Sequence, residues 1–141
     1  MGDPDTTLAT RLPCTFGILT ELSTIEIEDL DLEAGEKLCL TAELDSDSYV
    51  YLVQIERVSD TATNVWMLFP DDPDAPPLRA AAQVRVPDAI SWIEPKATGK
   101  VRALTAPKPL RSVDLVALLG GREPLPGTVS VKNAKSGTSW P

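Results

Sequence analysis

Clustered carboxylates are the residues of this 141-residue chain with the most evident chemical potential. Asp71, Asp72 and Asp74 supply the oxygen ligands that Ca²⁺ prefers. They lack the glycine and the distal glutamate of an EF-hand loop, and prolines interrupt them. The preferred interpretation is therefore an exposed acidic loop, and we predict no metal site.

A nucleophile with an activating partner is not evident in the sequence. The chain has no histidine, which excludes Ser–His pairs, Cys–His pairs and histidine metal sites. A Ser–Lys dyad needs Ser-x-x-Lys at the start of a helix, and the spacing of Ser130 and Lys132 does not match. For Cys14 and Cys39, two buried thiols are the preferred interpretation and one disulfide is the alternative. We predict no catalytic residues, no cofactor and no enzymatic activity.

Composition narrows the class of partner. With 13 Lys+Arg against 21 Asp+Glu, the formal charge is −8, which repels phosphate backbones and disfavours nucleic acid as a partner. No run approaches the roughly 20 apolar residues of a membrane span. The acidic N-terminus does not resemble a signal peptide, so the chain as written is predicted to be cytoplasmic, and an exported parent stays open. Acids predominate up to Asp74, whereas bases gather later, a polarity that can steer a charged partner. Those bases are Lys96, Lys100, Arg102, Lys108, Arg111 and Arg122.

Short apolar runs bounded by turn residues predict a mainly β fold, an antiparallel β-sandwich-like single domain with one short helix near the C-terminus. The predicted strands cover residues 24–28, 37–44, 49–55, 65–69, 83–86, 90–93, 101–106 and 128–131. Residues 49–55 are apolar on both faces, which is typical of a central strand covered on both sides. A polar hairpin loop is expected over 59–64, and the proline-rich stretch 70–77 is expected to be a loop.

The predicted helix covers residues 112–119. Ser112 is expected to be its N-cap, and Gly120-Gly121 are expected to end it. Val113 and Val116, with Leu119 or Ala117, form the predicted buried stripe. The domain organisation is a flexible N-terminal segment over 1–13, a β-rich domain over 14–131 and a polar C-terminal tail over 132–141. Trp140 in that tail is interpreted either as a docking residue or as disordered.

Several landmarks follow one another in a distinctive order. They are the turn Ala34-Gly35-Glu36-Lys37, the run Ser48-Tyr49-Val50-Tyr51-Leu52, the corner Leu68-Phe69-Pro70-Asp71, the pair Val86-Pro87, and Gly99 leading to Arg102-Ala103-Leu104. This order resembles the bacterial family known as domain of unknown function 4384. The resemblance implies a non-catalytic accessory module, of a kind often found beside caspase-like peptidases or serine/threonine kinases. A protein partner from such a system, and a regulatory or adaptor role, are the resulting expectations.

Two groups of residues are candidate contacts for that partner. The first is the corner and the loop after it, namely Phe69, Pro70, Asp71, Asp72 and Asp74, although a folding role also explains each residue type. The second is Tyr49 and Tyr51, which share one face of a strand and form either an aromatic platform or part of the core, the core being preferred. The alternative function is a carbohydrate- or envelope-binding module of an exported protein.

Overall fold

Strands formed by alternating apolar residues make up most of the fold. The structure is a computed structural model, and it describes residues 14–20, 23–27, 30–32, 37–44, 46–88, 90–94, 97, 99–122 and 124–141. The strands are β1 (Cys14–Thr20), β2 (Ser23–Ile27), β3 (Leu30–Leu32), β4 (Lys37–Leu44), β5 (Tyr49–Ser59), β6 (Ala62–Phe69), β7 (Ala81–Val86), β8 (Gly99–Ala106) and β9 (Thr128–Asn133). The helix α1 (Ser112–Arg122) lies between β8 and β9. Strands β1 and β3 had not been predicted.

The strands form two sheets. A four-stranded sheet has the order β2-β1-β4-β7, and a five-stranded sheet has the order β3-β8-β5-β6-β9. The predicted mainly β, sandwich-like domain with one short helix near the C-terminus is confirmed. The sheet is not purely antiparallel, however, because β9 runs parallel to β6 over its whole length. This parallel pairing requires the chain to cross over from one end of the sheet to the other, and α1 lies on that crossover.

The five-stranded sheet is buried on both faces, and β5 shows why. Val50 and Leu52 point toward the four-stranded sheet, whereas Tyr51 and Val53 point toward α1. The first face closes what we call the inter-sheet core, formed by Leu38, Leu40, Leu44, Val50, Leu52, Leu68, Val86, Ile93, Val101 and Ala103. The second closes the helix core, formed by Tyr51, Val53, Val65, Met67, Leu104, Ala106, Leu110, Leu115, Leu119, Val131 and Trp140. The prediction that residues 49–55 form a strand covered on both sides is therefore correct.

A hairpin joins β5 and β6 as predicted, but its loop is shorter than the predicted 59–64. Ser59 pairs with Ala62, which leaves only Asp60 and Thr61 in the turn. Polar residues remain in the ladder because their side chains have partners, as where the Asn64 amide donates to the Glu56 carboxylate at 3.1 Å. The strand predicted over 90–93 is wrong, since only Ile93 forms an isolated bridge, with Leu38.

The helix differs from its prediction at both ends and in its buried face. Arg111 takes the N-cap position instead of Ser112, because its N–H donates to Asp114 Oδ2 at 2.9 Å and its carbonyl accepts the Leu115 N–H at 3.1 Å. The helix continues through both glycines to Arg122. Its buried side chains are Leu115 and Leu119, an i, i+4 pair, whereas Val113 is 69% exposed.

The C-terminal residues are packed against the sheet. Gly127 has a φ of 67°, and a Cβ there would overlap the backbone of Thr61, so glycine is what lets β9 start beside the β5–β6 turn. Strand β9 includes Lys132 and Asn133, both assigned to the tail by the sequence prediction. Trp140 was predicted to be either a docking residue or disordered, and at 4% exposure it is a docking residue within the chain itself.

The predictions that fall outside the described residues concern the flexible segment 1–13, Glu28 at the end of the strand predicted over 24–28, the Ala34-Gly35-Glu36 turn and Lys96. Cys39 is a buried free thiol. The register sets Cys14 opposite Ala42 and Cys39 opposite Gly17, three residues apart along β4. At about 3.3 Å per residue that separation is too large for a disulfide, so the thiol interpretation is the one the strand register supports.

Candidate functional site

The tyrosines and the proline corner meet around a small cavity. Tyr49, Tyr51, Phe69 and Pro70 line one cavity of about 20 Å³, which has room for roughly a single water. Tyr51 is 2% exposed, and its hydroxyl accepts the N–H of Leu110 at 2.8 Å. The aromatic platform that the sequence left open is therefore absent at these two tyrosines, and their role is packing.

The acidic loop after Pro70 is exposed and locally ordered. Strand β6 ends at Phe69, as predicted, and the Phe69–Pro70 peptide bond is cis. A side-chain turn forms at Asp72, whose Oδ1 accepts the Asp74 N–H at 2.9 Å. At its far end the loop is fastened by Ser48 and Leu78, whose backbones exchange hydrogen bonds at 2.8 and 2.9 Å. Asp72 and Asp74 point into solvent.

Asp71 lies elsewhere, in an open groove of about 780 Å³ that borders the inter-sheet core. We call it the corner groove. It brings together the end of β6, the segment after β7 and the turn after β9. Its lining residues are Leu68, Phe69, Asp71, Pro87, Asp88, Ser91, Trp92, Ile93, Glu94, Ala134 and Lys135. Of the predicted contacts, only Phe69 and Asp71 reach this groove.

One wall of the corner groove is held in shape by Asp88. Its Oδ1 accepts the N–H of Ile90 at 2.9 Å and the N–H of Ser91 at 2.7 Å. These bonds, the Ile90 bond above all, hold the pKa of the Asp88 carboxyl below its ordinary value, because they stabilise the charged form. Arg85 donates to the Asp88 carbonyl at 2.7 Å, and its guanidinium lies 5.0 Å from the centre of the Trp92 ring.

The opposite wall is held in shape by Asn133. Its amide donates to the carbonyl of Asp71, while its Oδ1 accepts the N–H groups of Lys135 at 2.9 Å and Ser136 at 3.1 Å. Lys135 Nζ lies 3.4 Å from Asp71 Oδ2, an exposed ion pair. Asn133 itself is only 7% exposed, so this wall is anchored from within.

The charges around the corner groove are mixed. Asp71, Asp88 and Glu94 are opposed by Lys135 and by Lys37, whose Nζ lies 3.7 Å from the Glu94 carboxylate. Of the late basic residues, Arg102 is 2% exposed and so contributes no surface charge, and Lys96 lies outside the described residues.

Sequence reasoning missed Asp88 and Trp92. The signal for Asp88 was present, because Asp after Pro87 is a common turn residue whose side chain binds the following backbone. No local signal indicated that this turn would face the Pro70 corner. Residues 71 and 88 approach each other only because β4 and β7 lie in one sheet, with β6 and β9 in the other.

A second groove, of about 510 Å³, lies between α1 and β9 on the helix-core side. We call it the helix groove. Its apolar lining residues are Val113, Val116, Ala117, Val129, Val131 and Trp140, and three serines complete it. The lining includes no charged side chain.

Within the described ranges, no three His, Cys, Asp or Glu side chains are grouped so that they could hold a metal ion. Among the helices of those same residues, none has the length and apolar character needed to span a membrane. Comparison of the chain with protein-family models, with curated proteins and with solved structures gives no match. The resemblance to domain of unknown function 4384 therefore stays a prediction.

Proposed function

We propose that this chain is a non-catalytic recognition module that binds a protein partner at the corner groove and acts as an adaptor or regulator. The observation that carries the proposal is the meeting of Phe69 and Asp71 with Asp88 and Trp92 in one open groove. Large rings and paired polar groups at the rim of a groove are the features that protein interfaces favour.

The walls of the groove support the proposal because they are ordered before any partner arrives. Hydrogen bonds fix Asp88 to the turn behind it and Asn133 to Asp71. Preorganised walls reduce the conformational entropy that binding would otherwise cost. A partner from a caspase-like peptidase or kinase system remains the expectation that the family resemblance implies.

The carbohydrate- or envelope-binding alternative has less support. Its aromatic platform was Tyr49 and Tyr51, and Tyr51 is buried. Its structural marker was a disulfide between Cys14 and Cys39, and Cys39 is a free thiol.

Two variants of equal charge test the proposal. Asp71→Asn with Asp88→Asn removes two charges inside the corner groove, and Asp72→Asn with Asp74→Asn removes two charges from the neighbouring loop. Asparagine keeps the side-chain oxygen that accepts the turn hydrogen bonds, so both variants should fold. A photo-crosslinking residue at position 91 reports contact in the groove, and the same residue at position 61 serves as the control.

We expect one protein to crosslink from position 91 and not from position 61. Its yield should fall for the groove variant and stay near wild type for the loop variant. Loss with the loop variant alone would assign the contact to residues 72–74 instead. Equal crosslinking from both positions would contradict a specific site.

A further inference from the structure

Strand β9 lies at an edge of the five-stranded sheet, and only part of that edge is covered. On one side β9 pairs with β6. On the other side, residues 138–140 of the same chain fold back against the last residues of β9, with Ser139 opposite Lys132. Asn133 donates to the Thr138 carbonyl at 2.8 Å, and Trp140 donates to the Val131 carbonyl at 2.9 Å.

These two bonds fix the direction of the backbone groups along β9. In a strand, alternate residues direct their N–H and C=O to the same side. Since Val131 and Asn133 face outward, Val129 faces outward as well, and Thr128 faces inward, where its N–H donates to Thr61 at 2.9 Å. No described residue pairs with the outward groups of Val129, because the fold-back segment leaves β9 at Pro141, whose carbonyl accepts the Ser112 N–H.

This open part of the edge lacks the usual protection. Native edge strands are commonly blunted by charged side chains or by proline. Thr128, Val129 and Ser130 carry neither. Val129 and Ser130 line the helix groove, where Val113 is 69% exposed. The groove therefore offers main-chain hydrogen bonds along one side and an apolar surface along the other.

The structure already shows how such a groove is filled. Residues 138–140 run antiparallel to β9 through the isolated bridge between Lys132 and Ser139. The side chain of Trp140 is buried in the helix core, with its indole N–H donating to the Leu110 carbonyl at 3.2 Å. A second strand can continue this pattern toward Thr128, in line with the first. The absence of charge in the lining favours an uncharged segment as its occupant.

We propose that the helix groove binds an extended, uncharged β-strand segment of another protein, which pairs with the edge of β9 at Val129 and places an apolar side chain against Val113 and Val116. A second copy of this chain is a poorer occupant, because each copy has a formal charge of −8. This interaction goes beyond the proposed function. The helix groove borders the helix core and the corner groove borders the inter-sheet core. A substitution can therefore abolish binding at one groove and leave binding at the other unchanged.

The test uses the full chain and two fluorescein-labelled heptapeptides in which valine and threonine alternate. In one of them the valine nitrogens are methylated, which removes the main-chain donors and leaves the side chains. Fluorescence polarisation measures binding of both peptides to the wild type, to Val113→Glu and to Ile90→Glu. Ile90 is 84% exposed and lies outside the groove, so it controls for an added charge at an exposed apolar position.

The unmodified peptide should bind the wild type and Ile90→Glu equally. Methylation and Val113→Glu should each weaken binding by about tenfold or more, the effect expected from losing one or two main-chain hydrogen bonds or the apolar contact. No measurable binding, or equal binding of the methylated peptide, would overturn strand addition. Equal binding by Val113→Glu would overturn the location. Light scattering that shows a dimer lost in Val113→Glu would make a second copy the occupant and overturn the heterologous partner.

Discussion

The two cores on either side of the five-stranded sheet are built on different principles. The inter-sheet core is aliphatic, and strands supply nearly all of it. The helix core adds α1 and the rings of Tyr51 and Trp140, and both rings hydrogen-bond to the backbone of one residue, Leu110. One core therefore follows from strand pairing alone, whereas the other depends on distant segments meeting at one point.

Leu110 explains why the helix core needs polar contacts. It lies just after Pro107 and Pro109 and outside any ladder, so its buried N–H and C=O have no strand partner. The Tyr51 hydroxyl accepts a hydrogen bond from the Leu110 N–H, and the Trp140 indole N–H donates one to the Leu110 carbonyl, so both backbone groups are satisfied. This face of the sheet is therefore held by specific hydrogen-bonded pairs, and two substitutions and a change of pH test that conclusion.

Trp140→Ala should have the largest effect. Removing a buried tryptophan costs about 3–5 kcal/mol of unfolding free energy, even though Trp140 is next to the last residue of the chain. Urea unfolding followed by circular dichroism measures the loss. Hydrogen exchange of residues 112–122 should rise, whereas Leu40→Ala, in the inter-sheet core, should destabilise the protein by about 2–5 kcal/mol without selective exposure of the helix. A cost for Trp140→Ala below about 1 kcal/mol would place Trp140 outside the core.

Tyr51→Phe should have an intermediate effect. The ring stays in the helix core, but the Leu110 N–H loses its acceptor, which costs about 1–3 kcal/mol. Tyr49→Phe is the matched control, since Tyr49 is only partly buried and should change stability by less than about 0.5 kcal/mol. Equal unfolding midpoints for the two variants would show that the hydroxyl contributes nothing specific.

Alkaline pH should have the smallest and most selective effect. Burial raises the pKa of the Tyr51 phenol above its ordinary value, because it disfavours the phenolate. As pH rises through the ordinary tyrosine range, the unfolded chain therefore releases this proton before the folded chain does, and stability falls. Unfolding free energies measured at successive pH values should decline more steeply for the wild type than for Tyr51→Phe. Parallel declines would assign the pH dependence to other groups.

The inter-sheet core was the easier of the two to predict. Strand β4 was predicted with its observed bounds, and Leu38, Leu40 and Leu44 are buried as the alternation required. The helix core was predicted less well. The predicted stripe named Leu119, which is buried, but it also named Val113, which is exposed, and it left out the buried Leu115. Val113 and Leu115 both fit a helical period with neighbouring apolar residues, and only the position of the sheet beneath α1 decides which of them is buried.

The candidate sites show the same division. The corner motif indicated Phe69 and Asp71, and both lie in the corner groove. Asp88 and Trp92 were missed because they follow β7, in the sheet opposite the one that contains β6. The helix groove was missed because β9 was predicted as a separate strand followed by a polar tail. Each groove is made of segments that are distant in sequence and that only sheet order brings together.

By itself the sequence determined most of the strands, which faces of those strands are apolar, and where Pro70 ends β6, since all three follow from residue type and period two over a few residues. The tertiary structure alone decided that β9 runs parallel to β6, that Trp140 is buried, and that Leu110 is the meeting point of two rings. Tyr51 reaches Leu110 across 59 positions and Trp140 across 30. No local periodicity encodes contacts at such separations, because they depend on how whole sheets pack.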